Sequence, residues 1–91
     1  MQFRYPLPER LIAQALALTE FANGGAQCHA RLRSGTVHPG LLLSNGTAII
    51  AMRGHTLLPF EVSEIESLFQ TDEDQSPTTR SGWEFFDKWN A

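Results

Sequence analysis

One cysteine, Cys28, stands in a chain of 91 residues. A lone thiol builds no internal disulfide framework, and such a chain fits a reducing cytoplasm. Long apolar runs are also missing: the stretch from Leu11 to Ala22 is interrupted by Gln14, Thr19 and Glu20, too short and too mixed to span a bilayer. The opening residues do not read as a basic-then-apolar leader, so the expectation is a soluble cytoplasmic protein without membrane contact. No glycine-rich loop opens a helix, since Gly24-Gly25 follows one instead, and this removes the usual phosphate cradle. Internal repeats are absent too.

Hydrophobic residues make up 42% of the chain, a globular level that allows one domain with a modest core. The net charge of −3 is unevenly spread. Residues 1–60 carry Arg4, Arg10, Arg31, Arg33 and Arg53 against Glu9 and Glu20, a balance of +3. Residues 61–91 carry Arg80 and Lys88 against Glu61, Glu64, Glu66, Asp72, Glu73, Asp74, Glu84 and Asp87, a balance of −6. A basic body with an acidic end suits an anion, its own tail, or a second copy placed head to tail.

The run PLPERLIAQALALTEFANGG predicts a helix. Pro8 fits its first turn, and Glu9 complements the positive end of its dipole. Leu11, Ile12, Ala15, Leu18 and Ala22 form its apolar stripe, widened by Leu16 and Phe21, and Asn23-Gly24-Gly25 ends it. The period then becomes alternating, with Cys28, Ala30 and Leu32 on one face and His29, Arg31 and Arg33 on the other. Ser34-Gly35 turns into a strand over 36–43. Asn45-Gly46 reads as a two-residue hairpin loop that faces Leu43 with Ala48 and Leu41 with Ile50. A turn at Gly54-His55 leads to a fourth strand over 56–60. Ser63-Glu64-Ile65-Glu66 matches a capping box, with Ile65, Leu68 and Phe69 continuing at helical spacing, so a short helix is expected and a strand is the competing reading. Residues 71–82 read as a polar acidic linker. Trp83, Phe85, Phe86 and Trp89 close the chain as an aromatic segment.

Two stretches resemble a known family. LRSGTVHPGLLL is similar to the first signature of Sm and LSm proteins, and GTAIIAMRGHTLLPF to the second. The resemblance covers residues 8–62 and implies a small, strongly bent barrel that assembles into rings and binds single-stranded RNA. By position, Arg53 and Gly54 match the Arg-Gly of the family's RNA site. The Asp-x-x-x-Asn element of the family is absent, and the Asn45-Gly46 turn stands where its third strand begins.

Catalytic and metal chemistry find little support in the residue pattern. Cys28 and His29 are adjacent, so on a strand they point to opposite faces and form no thiolate–imidazole pair. His29, His38 and His55 lack a neighbouring carboxylate in sequence to orient an imidazole, and they read as solvated strand residues. The expectation is an α+β domain over residues 1–70, with an N-terminal helix, a curled antiparallel sheet or barrel of about four strands and a short acidic helix. It is expected to act without cofactor or metal as a non-enzymatic interaction module, a regulator, adaptor or immunity-type inhibitor, binding itself or another protein. The aromatics Trp83, Phe85, Phe86 and Trp89 are the candidate partner contact. RNA binding through Arg31, Arg33, Arg53 and Gly54 is the alternative.

Overall fold

The computed structural model describes residues 4–22 and 24–76. A short strand β1 (Tyr5–Pro6) precedes helix α1 (Glu9–Leu16), and strands β2 (Gly25–Leu32), β3 (Val37–Ser44) and β4 (Ala48–Met52) follow. A 3-10 turn at Val62–Glu64 leads into β5 (Ile65–Phe69), and α2 (Asp72–Gln75) follows. All strand pairs are antiparallel, and the order across the sheet is β1-β4-β3-β2-β5. The fold is α+β, a curled half-barrel of five strands with two helices.

Curling comes from bulges, each of which inserts one residue into a strand and sharpens its twist. One falls at Pro39-Gly40 in β3, between the pairs Ala30↔His38 and Cys28↔Leu41. Gly40 has φ +74°, and a Cβ there would lie 3.1 Å from the Cβ of Arg53. Glycine therefore supplies both the left-handed backbone and the room for the Arg53 stem. A second bulge inserts Ile50 in β4, between Leu43↔Ile49 and Leu42↔Ala51. A third inserts Glu66 in β5, between Leu32↔Ile65 and Arg31↔Ser67.

The structure corrects several sequence expectations. Glu66 is extra, so Ile65 and Leu68 reach one buried face at a spacing of three, which on paper resembles a helix. The competing strand reading is the right one, and the local box is formed by Glu61 and Glu64 around a single 3-10 turn. Asn45 and Gly46 both adopt positive φ, and Thr47 N donates to Ser44 O as a tight turn requires. The ladder beyond nevertheless pairs Ser44 with Ala48 and Leu43 with Ile49, one residue off the expected register. In the preceding hairpin Arg31 faces Val37, with the loop at Arg33-Ser34-Gly35. Residues 56–60 form no strand: His55 bridges back to Met52, and the chain then turns.

α1 is also shorter than the apolar stripe. It stops at Leu16, and Leu16 itself is 65% exposed. The reason lies in the two faces of the sheet. Leu11 and Ala15, with Leu18 beside them, pack on the face built from Cys28, Ala30, Leu32, Leu41, Leu43, Ile49, Met52, Ile65 and Leu68. Phe21 packs on the opposite face, against Leu42, Ala48, Ile50 and Ala51. A straight helix presents one stripe to one surface, so the chain leaves the helix to carry Phe21 around the edge.

Candidate functional site

Alternation along β2 places Gln27, His29 and Arg31 on the Leu42–Ala51 face, opposite buried Cys28 and Ala30. Gln27, His29, Pro39, Gly40, Arg53, Thr71, Glu73 and Asp74 line a cleft of about 360 Å³ there. At its base is Asp74, only 1% exposed. Thr71 caps α2 by accepting from Asp74 N at 3.3 Å, while Thr71 N donates back to Asp74 Oδ2 at 2.9 Å. This reciprocal box turns the Asp74 side chain toward the sheet.

Asp74 Oδ1 accepts from Gln27 Nε2 at 2.9 Å, and Oδ2 lies 2.7 Å from His29 Nδ1. With Asp74 ionised, its oxygens only accept, so Nδ1 carries the hydrogen. Gln27 Oε1 in turn accepts from the Arg53 guanidinium at 3.1 Å. Gln70 adds a clamp, donating to Thr19 O and Gln27 O at 2.9 Å each. Among the described residues no buried side-chain nitrogen or oxygen lacks a partner.

Beside the cleft, β5 places Phe69 directly opposite His29. Their rings are 5.1 Å apart, and the Arg31 guanidinium lies over Phe69 at 5.4 Å from its centroid. Cys28 is buried on the other face, where burial first and the negative charge of Asp74 second push its thiol far above the ordinary range.

The arginines proposed from sequence thus divide. Arg31 is exposed and stacks on Phe69, and Arg53 joins the cleft network. Arg33 is exposed beyond the end of β2, its amide donating to Glu64 O at 2.9 Å. Gly54 sits at φ +78° in the turn after β4, with nothing near its Cβ position, and does not line the cleft. Trp83, Phe85, Phe86 and Trp89 lie outside the described residues, as do 77–82 of the expected linker.

Two expectations change. His29 is tied to a buried carboxylate rather than solvated, and Thr71–Ser76 enters the fold instead of leaving it. Gln27, Phe69, Gln70 and Asp74 were not singled out by sequence. The legible signal was Thr71-Asp72-Glu73-Asp74, a capping pattern inside the acidic run. Among the described residues no helix is long and apolar enough to cross a membrane, and no group of three His, Cys, Asp or Glu is placed to hold a metal ion. Comparison with protein-family models, with curated proteins and with solved structures returns no match to this chain.

Proposed function

We propose that the chain is a non-catalytic binding module for a basic protein surface. The non-catalytic half rests on the closed network around Asp74. Its oxygens accept from Gln27, His29 and Thr71. A carboxylate bonded in this way supports position and order rather than turnover. The protein-binding half rests on the exposed side chains of Glu61, Glu64, Glu66, Asp72 and Glu73, spread along the chain from the 3-10 turn through β5 to α2. Charge of one sign steers encounter with a partner of the other. That partner is another protein or, given the exposed Arg31 and Arg33, a second copy.

A second reading, single-stranded RNA, has one observation in its favour. Phe69 supplies the aromatic group that β2 lacks, between His29 and Arg31, and cation–aromatic surfaces of this kind take stacked bases and phosphates. Affinity capture from lysate at graded salt, with and without nuclease, separates the two. The protein reading expects nuclease-resistant capture that Glu64→Arg with Glu66→Arg abolishes and Arg31→Ala leaves intact. Nuclease-sensitive RNA that disappears with Arg31→Ala or Phe69→Ala overturns it in favour of RNA.

A further inference from the structure

Helix α1 ends against the electrostatic preference of helices. The carbonyl end of a helix carries partial negative charge and is stabilised by lysine, arginine or histidine in its last turn. α1 has no basic residue there. The chain instead places a carboxylate, Glu20, four residues beyond Leu16. Glu20 Oε1 accepts from Gly24 N at 3.3 Å, which ties the side chain to the residue before β2. A carboxylate accepts from several donors at once, so this tie does not exhaust it.

The two negative features share a groove. Ala15 and Leu16 from the end of α1, Leu18 and Glu20 from the segment after it, Ala26 from β2 and Gly46 from the β3–β4 turn line a space of about 370 Å³. It shares no lining residue with the cleft at Asp74. Ala15 and Ala26 are buried, and Leu16, 65% exposed, stands at the rim. Gly46 leaves room for Leu16, because a Cβ at that position would lie 2.6 Å from Leu16 Cδ2. Apolar walls beside negative charge suit neither an anion nor a plain hydrocarbon. They match a side chain with a hydrocarbon stem and a cationic head.

We infer that this groove receives a lysine side chain of the basic partner, its stem against Leu16 and Ala26 and its ammonium at Glu20 and the end of α1. The occupant rests on the function proposed above, but its socket is built from residues other than Glu61, Glu64, Glu66, Asp72 and Glu73. Lysine suits the groove better than arginine. Its ammonium is a compact charge with three rotatable donors, able to meet a carboxylate and helix carbonyls together, whereas a planar guanidinium favours one carboxylate in a fork.

The test uses the full chain and two small probes, N-acetyl-lysine N-methylamide and its norleucine counterpart, which keeps the stem and lacks the ammonium. Binding is followed by the amide NMR spectrum. The lysine probe is expected to shift the amides of Leu16, Leu18, Ala26 and Gly46 saturably, and the norleucine probe to bind several-fold more weakly. Glu20→Gln should bring the lysine probe down to the norleucine level, and Leu16→Ala should weaken both. No saturable shift at these amides up to the solubility limit of the lysine probe overturns the inference. Equal binding of the two probes also overturns it, because the groove is then apolar only. Concentration-dependent shifts at the same amides without any probe overturn the choice of occupant in favour of a second copy. Glu20 is exposed; if its variant nevertheless does not fold, the two probes on the unaltered chain still decide. Lost charge selectivity with retained capture of the partner overturns the socket alone. Charge-selective probe binding without capture that depends on Glu64 and Glu66 overturns the partner proposed above and not the socket.

Discussion

At the scale of single residues, Asp74 has the largest structural consequence. Its removal leaves the Gln27 amide and the His29 ring without their acceptor inside the fold. Asp74→Ala should destabilise the protein by about 3 kcal/mol, since a buried partner is lost while its donors remain. The check is urea unfolding, where the midpoint should fall without a change in slope. Asp74→Asn keeps the shape but replaces one accepting oxygen with a donor, and its loss should be smaller. Little of this was readable from sequence. His29 and Asp74 are 45 positions apart, and an acidic run of Thr, Asp, Glu and Gln reads as solvated linker until its capping pattern is weighed against composition. The core role of Cys28 was legible, because alternation along one strand assigns it an inward face without any long-range information.

At the scale of elements, the ends of the sheet are closed by different means. β1 is two residues long and includes Pro6, which has no amide hydrogen to offer. β5 is met by α1, where Gln14 Oε1 accepts from Leu68 N at 2.9 Å. Gln14→Ala should cost about 1 kcal/mol, the net worth of one hydrogen bond. It should also speed exchange of the Leu68 amide relative to the Ala30 amide, as hydrogen-exchange NMR can read. An equal slowing or speeding at both sites would mean that Gln14 acts on global stability alone. Elements whose signal is local, such as β2 and the Asn45-Gly46 turn, could be read before the structure was known. Registers could not, because the loop after Ser44 takes three residues, 45–47, where two were expected, and because Gly40, Ile50 and Glu66 are bulge residues that shift the inward set without changing composition. The same cause gave Ile65 and Leu68 their helix-like spacing.

At the scale of the whole molecule, long-range pairing ties the two ends of the described chain together, with α1 against β5 and α2 against β2. Cys28 lies inside that arrangement and serves as a probe of it. Its thiol is held protonated by burial and by Asp74, so a disulfide reagent at mildly alkaline pH should label it only as fast as the molecule opens globally. Fast labelling of the native protein would show local opening at β2. The same group sets a pH dependence. Above its ordinary value of 9.0 the unfolded thiol gives up its proton while the folded one keeps it. The folded state then binds more protons, so stability from this group should decline as pH rises beyond that point. Denaturant midpoints of the wild type and Cys28→Ala across that range isolate the effect.

The closed sheet ends have one more consequence. A strand edge with open amides and carbonyls is a template on which further chains add, the first step toward fibrils. With Pro6 at one border and the Gln14 side chain bonded to Leu68 N at the other, each border of the described sheet withholds one amide from such addition.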